Sequence, residues 1–221
     1  MAVHLDPPAQ FEVPPISGGL FTVCMWLQVH AYPSSTSWVP LYYQGGANYN
    51  SAMMLELVNT GALGVWDNQN GRLDTASGTV PLDEWIWVAV VYEADEPAEV
   101  YWRELADTTL SSEVAQANSG AVTTVAARIA GDPPVDATVD TDIAYGRAWQ
   151  ARLTPGELLA ESSSTEAVVT DDLWGDWPME TAATAGDDVS GEGRHLTPAQ
   201  GTMTTVPGPD LADAPEIEAA G

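Results

Sequence analysis

The hydrophobic positions of this 221-residue chain come in short runs that are separated by clusters of Gly, Pro, Asn, Asp and Ser. Most runs are four to ten residues long and rich in β-branched and aromatic residues, which is typical of strands. Turn signals such as NTGA, DNQNG and EADEPAE lie between them. The runs are AVHL, QFEV, FTVCMWLQVHA, WVPLYYQ, AMMLELVN, ALGVWDN, RLDTAS, WIWVAVVYE, AEVYWREL, LSSEVA, ARIAG, TDIAYGRAWQ, LWGDWPM, RHLTPA and TMTTVP. Their spacing predicts an all-β sandwich and not an alternation of strands and helices.

Two of these runs, 21–29 and 85–92, are apolar on both faces of the predicted strand. In the first run, one face carries Phe21, Val23, Met25 and Leu27, and the other carries Cys24 and Trp26. In the second run, one face carries Trp85, Trp87, Ala89 and Val91, and the other carries Ile86, Val88, Val90 and Tyr92. Because both faces must be kept from water, these strands are predicted to lie deep in a sheet that is covered on both sides.

One helix is predicted, near residues 154–162, in the segment LTPGELLAES. Thr154 is the expected N-cap, Pro155 occupies the first helical position, and Glu157 lies three residues after the cap. This combination is a capping box with an N-terminal proline. The following SSST ends the helix.

The charge of the chain is strongly negative, with 32 Asp and Glu against six basic residues and a net charge of -26. All six basic residues are arginines. Binding to nucleic acid is not expected, because neutralising phosphates requires a basic patch. Binding to anionic membranes is disfavoured for the same reason. The acidic surface is interpreted either as tuning for solubility or as adaptation to high salt, which screens charge repulsion.

Several classes of segment are missing from the sequence. Its first 15 residues lack the basic and apolar regions of a signal peptide, and no window has the ~18 consecutive apolar residues of a membrane-spanning helix. Cys24 is the only cysteine, so neither a disulfide framework nor a thiolate zinc site is expected. The final segment is acidic and rich in Ala and Pro. We therefore predict one domain over residues 1–206 and an extension over 207–221.

The order of several motifs resembles the laminin-G-like domains of the concanavalin A-like lectin/glucanase superfamily, in its bacterial and phage branch. The motifs are the strand WIWVAVVY, the strand-to-helix join AYGRAWQARLTPGEL and the return segment DWPMETAATAGDDVSGEGRHLT. The resemblance covers residues 1 to about 206. It implies a two-sheet antiparallel jelly roll that is closed by its first and last segments. It also implies binding of glycans or proteins, often without catalysis, although a fold alone does not determine function.

The glucanases of that superfamily carry carboxylates spaced Glu-x-Asp-x-Glu on one strand face, or with one extra residue before the last Glu. The nearest match here is EADEPAE, with Glu93, Asp95, Glu96 and Glu99, and its third carboxylate falls at neither spacing. Pro97 within this segment indicates a turn between two strands. No GxSxG, HExxH or P-loop motif occurs, and His4, His30 and His195 lie far apart in sequence. We therefore predict that the protein is not an enzyme.

Calcium is the one metal that the sequence suggests, since some relatives bind it at a sandwich edge. The candidate ligands are Asp132, Asp140 and Asp142, of which the last two are expected on one strand face. The alternative is a solvated acidic sheet edge, which discourages aggregation. The acidic stretch DDVSGEG resembles the start of an EF-hand loop, but the twelfth position counted from Asp188 is Ala199 and not the required Glu. That stretch is instead predicted to be a turn, with core residues Trp177, Met179 and Leu196 around it. No other cofactor is predicted.

Two segments have the composition of a sugar-binding site, in which aromatic rings stack on the sugar and polar groups bond its hydroxyls. The first, YYQGGANYNS, offers Tyr42, Tyr43, Asn48, Tyr49 and Asn50. The second, VWDNQNGR, offers Trp66, Asp67, Asn68, Asn70 and Arg72. The alternative is that Tyr42 and Trp66 belong to the core and that the Asn-Gly pair forms a hairpin turn.

These observations predict a non-enzymatic recognition or assembly protein, in a virion or outside the cell, that acts as a virion surface, tail or capsid-decoration component contacting host glycans. A virion protein leaves the cell by lysis, so it needs no signal peptide. The expected partners are other structural proteins of an assembly, cell-surface glycans and further copies of the chain. Two alternatives remain open: a free bacterial glycan-binding module, and a glycan hydrolase with an atypical site.

Overall fold

The computed structural model describes residues 1–34, 38–46, 52–67, 71–118, 122, 126–130 and 139–212. These residues form thirteen strands and one helix, which confirms the all-β class and the single short helix. The elements are β1 (Ala2–Val13), β2 (Leu20–Ala31), β3 (Trp38–Gly45), β4 (Met53–Val58), β5 (Leu63–Asp67), β6 (Gly71–Asp74), β7 (Trp85–Glu93), β8 (Pro97–Glu104), β9 (Ser111–Asn118), β10 (Ala126–Ile129), β11 (Asp140–Trp149), α1 (Pro155–Glu161), β12 (Leu173–Trp177) and β13 (Thr197–Val206).

The strands form two sheets that share β1. The first sheet has the order β6-β5-β4-β3-β10 and ends on the C-terminal half of β1. The second sheet begins with the N-terminal half of β1 and continues β11-β2-β7-β8-β9. β12 pairs with β11 and β13 pairs with β1. Strands β5 and β6 contact β8 and β9 at the far edges, so the two sheets face each other as a sandwich.

β1 passes from one sheet to the other at two prolines. The runs AVHL and QFEV, which the sequence suggests as separate strands, form this one strand, with prolines at positions 7 and 8 between them. Proline has no backbone N–H to donate. Accordingly, the register against β13 shifts between Asp6 and Gln10. The runs RHLTPA and TMTTVP likewise contribute to one strand, β13.

The two strands with two apolar faces are covered on both sides, as predicted. The face of β2 that carries Phe21 and the face of β7 that carries Ile86 lie in the core between the sheets. The opposite faces, which carry Trp26 and Trp87, pack in another cluster with Leu158 of α1. The helix therefore lies against the outer face of the second sheet.

The predicted capping box begins α1. The backbone N–H of Thr154 donates to Glu157 Oε2 at 2.7 Å, and the N–H of Glu157 donates to Thr154 Oγ1 at 3.3 Å.

A buried ion-pair network attaches the end of the helix to the sheet. Arg147 Nη1 lies 2.9 Å from Glu161 Oε2, and Arg147 Nε lies 3.2 Å from Asp176 Oδ1. Burial raises the pKa of both carboxyl groups despite this arginine.

The chain ends by returning to its first strand, because β13 pairs antiparallel with β1 along most of its length. Trp177, Met179 and Leu196 are buried around the return, which confirms their predicted core positions. Within the described residues, no helix is long and apolar enough to cross a membrane. The boundary at residue 206 stays a prediction.

Candidate functional site

The acidic segment EADEPAE contains the turn between β7 and β8, as its proline indicates, with Glu93 at the end of β7 and Pro97 at the start of β8. Asp95 has a left-handed backbone with φ of 70°. Arg152 approaches two of the carboxylates, with Nη1 at 3.7 Å from Glu93 Oε2 and Nη2 at 2.5 Å from Glu99 Oε1. Tyr101 also donates to Glu99, at 2.6 Å. Glu93 and Glu99 are therefore both engaged with a cation, and Glu99 also with a phenol.

The predicted ligand residues fall into three groups. Tyr42 and Tyr43 are each 1% exposed, so neither ring offers a face to solvent. This burial favours the core alternative for Tyr42, which packs between the sheets. Trp66 and Arg72 remain partly exposed. Outside the described residues lie Asn48, Tyr49, Asn50, Asn68, Asn70 and the side chain of Asp67.

Tyr43, Trp66 and Arg72 lie in one row across the outer face of the first sheet. Residues directly opposite in paired antiparallel strands share a face. The register pairs Glu12 with Arg128, Arg128 with Tyr43, Tyr43 with Met54, Met54 with Trp66, and Trp66 with Arg72. We call these six residues the cross-strand row. It joins both predicted segments and adds Glu12 and Arg128, which no local pattern in the sequence indicates.

One end of the row is a cluster of charges. Arg72 Nη1 lies 3.1 Å from Glu56 Oε2, and Arg72 Nε lies 2.5 Å from Asp74 Oδ1. Gly64 forms the floor of this cluster, where an added Cβ would lie 2.9 Å from Asp74 Oδ1. The lack of a side chain there gives the three charged groups room beside Trp66.

The other end of the row opens into a cleft of about 400 Å³, whose walls include Glu12, Pro14, Pro15, Arg128 and Thr197. Arg128 Nη2 donates to Glu12 Oε1 at 2.8 Å. Arg128 Nε is buried and donates no hydrogen bond to any residue that the structure describes. The volume falls within the ~300–1,000 Å³ typical of small-ligand sites. We call this feature the Arg128 cleft.

A second polar cluster lies on the outer face of the second sheet and contains two of the predicted calcium ligands. Asp140 and Asp142 of β11 both approach His4 of β1, with Asp142 Oδ1 at 2.7 Å from His4 Nδ1 and Asp140 Oδ1 at 3.8 Å from His4 Nε2. His30 of β2 completes the cluster. The third predicted ligand, Asp132, lies outside the described residues.

The surroundings of the two imidazoles favour positive charge. Burial lowers the pKa of His4, but hydrogen bonds and charge from Asp142 and Asp6 outweigh it and raise that pKa above its ordinary value. The pKa of His30 is raised in the same way by Asp83 and Asp142 against the effect of burial. The sequence does not indicate this cluster, because His4 and Asp142 are 138 residues apart and meet only through strand pairing.

A family comparison accords with this architecture. The profile of the Laminin_G_3 family, described as the concanavalin A-like lectin/glucanases superfamily, matches residues 6–158. The chain belongs to this superfamily. No curated protein matches the sequence at a significant level.

Solved structures share the superfamily fold at low sequence identity. A candidate carbohydrate-binding protein from Bacteroides ovatus superposes with a TM-score of 0.65 and 15% identity, over 94% of this chain and 60% of its own. A native heptameric SAP-like pentraxin from Limulus polyphemus superposes with a TM-score of 0.56 and 11% identity, over 92% of this chain and 94% of its own. Tailspike protein 2 of Escherichia coli O157:H7 bacteriophage CAB120 superposes with a TM-score of 0.59 and 9% identity, over 77% of this chain and 25% of its own. The chain thus spans 60% of the Bacteroides protein, and at these identities the likeness shows the fold alone.

Proposed function

We propose that this chain is a non-enzymatic recognition domain that binds carbohydrate at the Arg128 cleft and along the cross-strand row. The observation that carries the proposal is the cleft itself. It places a buried guanidinium N–H, with no hydrogen-bond acceptor among the described residues, beside the Glu12 carboxylate. A buried polar group without a partner is costly, so a small rotation of the Arg128 side chain that lets an incoming hydroxyl or carbonyl oxygen accept from this N–H is favoured.

The chemistry of the row suits a sugar. Glu12 accepts hydrogen bonds, Arg128 and Arg72 donate them, and the partly exposed Trp66 provides an apolar ring for the C–H face of a sugar ring. Superfamily membership supports the same ligand class, as does the fold shared with the Bacteroides protein.

The arrangement of the acids near β7 supports a binding role over hydrolysis. Retaining glycosidases need a nucleophile and an acid/base about 5 Å apart and free to act on substrate. Glu93 and Glu99 are both ion-paired with Arg152, and Asp95 lies in the turn between the strands. Hydrolysis of a bound glycan that is lost in Asp95→Asn would contradict the non-enzymatic assignment.

A finer form of the proposal is that the chain serves as a surface or tail component of a virion. The same fold in a phage tailspike, and in a heptameric pentraxin, supports a role in repeated assemblies. Quantitative mass spectrometry of purified particles tests this form. A fixed number of copies per particle is expected, and absence of the chain from particles contradicts it.

The test of carbohydrate binding uses the isolated full chain on a glycan array, followed by titration of the strongest ligand. Arg128→Gln should weaken binding about 10–100-fold, because hydrogen bonds to charged groups contribute ~1.5–3 kcal/mol. Arg152→Gln is the matched control, since Arg152 is also a partly exposed, ion-paired arginine but lies by the β7–β8 turn. Equal affinity of both variants, or no binding by the wild-type chain, contradicts the proposal.

A further inference from the structure

Both histidines on the second sheet are held by a carboxylate at the same ring nitrogen. His4 Nδ1 lies 2.7 Å from Asp142 Oδ1, and His30 Nδ1 lies 2.8 Å from Asp83 Oδ1. Metal-binding histidines are typically oriented in this way, with one nitrogen bonded to a carboxylate and the other directed at the ion. Asp83 has a left-handed backbone with φ of 59°, and its N–H donates to the Val29 carbonyl at 2.8 Å. The backbone position of Asp83 is therefore defined by the fold.

The remaining ring nitrogens face a concentration of oxygen atoms. His4 Nε2 lies 3.1 Å from Asp6 Oδ1 and 3.8 Å from Asp140 Oδ1, and His30 Nε2 lies 3.2 Å from Asp142 Oδ1. One potential ligand atom each from His4, His30 and Asp140 lies within 4.8 Å of the other two. A tetrahedral ion with bonds of about 2.0–2.1 Å holds its ligand atoms about 3.3 Å apart, so small side-chain movements would complete such a set.

One oxygen of this cluster lacks a hydrogen-bonding partner. Asp140 Oδ1 is inaccessible to solvent and accepts no hydrogen bond within the part of the chain that the structure describes. Asp142, beside it, is only 5% exposed. Four carboxylates, from Asp6, Asp83, Asp140 and Asp142, surround two imidazoles. A buried carboxylate oxygen without a hydrogen bond and this excess of negative charge both favour a bound cation.

We propose that His4, His30 and Asp140 bind a divalent first-row transition metal of the Zn²⁺ class, with Asp142 and Asp83 as positioning residues. Imidazole nitrogens at the centre of the cluster favour such an ion over calcium, which prefers six to eight oxygen ligands. The bound ion links three strands, because β11 pairs with β1 on one side and with β2 on the other. The site lies on the opposite sheet from the Arg128 cleft. Metal binding can therefore be tested independently of carbohydrate binding.

The experiment titrates Zn²⁺ into the metal-free full chain in competition with a chromophoric chelator, and records the visible absorption of a Co²⁺ complex in parallel. One equivalent should bind, and Co²⁺ should give the intense bands of low coordination number. His4→Gln and His30→Gln should each lower the affinity at least 100-fold. His195→Gln is the matched control, because it removes the third histidine, which lies outside the cluster, and should leave the affinity unchanged.

Asp83→Asn tests the site without an expected loss of folding stability, because the Asp83 side chain is 73% exposed. Loss of a carboxylate behind a ligating histidine typically costs 10–100-fold in metal affinity. The variant should therefore bind Zn²⁺ about 10–100-fold more weakly and shift the Co²⁺ bands, with an unchanged melting temperature in chelator. Affinity in His30→Gln equal to that in His195→Gln overturns the proposal. So does displacement of Zn²⁺ by Ca²⁺ at equal concentration.

Discussion

Asp188 accepts three backbone hydrogen bonds in the return turn of DDVSGEG. Its Oδ1 accepts from the amides of Asp176 and Ser190, at 3.1 and 3.0 Å, and its Oδ2 accepts from the amide of Arg194 at 2.7 Å. The carboxylate therefore caps the turn from within, and the stretch needs no bound cation to explain its acidity. Gly191 and Gly193, with φ of 91° and 70°, make the tight path possible.

Asp188→Ala should lower the free energy of unfolding at pH 7 by about 1–3 kcal/mol, because it removes the acceptor for these amides. Asp187→Ala is the control. Its side chain is 63% exposed, its closest ionic contact among the described residues is His195 at 3.9 Å, and its loss should have little effect. Urea unfolding at constant m-value measures the difference. Equal destabilisation by the two substitutions would contradict this role.

The effect of Asp188 should depend on pH. Burial raises the pKa of Asp188, but the hydrogen bonds from Asp176, Ser190 and Arg194 outweigh this and lower it below its ordinary value. A group with a lowered folded pKa stabilises the protein above its unfolded pKa, here about 3.9, and loses this contribution as pH falls through the folded value. The difference between wild type and Asp188→Ala should therefore be complete at pH 7 and shrink below about pH 4.

The role of a single residue could be predicted where the residues that it contacts are close to it in sequence. The capping residues Thr154 and Glu157 are three positions apart and were predicted in their roles. The pairing of His4 with Asp142 could not be predicted, because 138 residues separate them and the strand register brings them together. The same holds for Glu12 and Arg128, which are 116 residues apart.

The strands β2 and β7 illustrate what can be predicted for an element. Their alternation of apolar side chains is local, and it correctly indicated that both faces are covered. β1 was divided into two runs, because its prolines look like a break between strands. The strand continues through them by shifting register and changing its partner from β11 to β10. The order of strands in the sheets depends on such long-range pairings and has no local signal.

The helix α1 is short, at seven residues, so its ends contribute much of its stability. Thr154→Ala should lower the free energy of unfolding by about 0.5–2 kcal/mol, through loss of the hydroxyl that accepts from the Glu157 amide. Thr154→Ser keeps the hydroxyl and should retain most of the stability. Urea midpoints of both variants measure this, and equal loss in both would show that the methyl group and not the cap is responsible.

On the scale of the whole molecule, the two outer faces of the sandwich carry different chemistry. The first sheet presents the cross-strand row and the Arg128 cleft, and the second presents the cluster of His4, His30, Asp140 and Asp142 beside the face that α1 covers. In a chain with a net charge of -26, basic side chains are scarce, so the positions of the few arginines and histidines distinguish the two faces. Two of the six arginines, Arg103 and Arg147, are buried in structural networks beneath α1. Arg72 and Arg128 instead lie on the row.

The most direct measurement of the central claim is amide chemical-shift mapping of the full chain during titration with the strongest array-selected glycan. The account predicts that the perturbed amides lie in the first sheet, in β10, the C-terminal half of β1 and the strands β3 to β6. Amides around His4, His30 and Asp142 should keep their positions in the spectrum. Perturbations confined to the second sheet, or an unchanged spectrum at saturating glycan, would contradict the account.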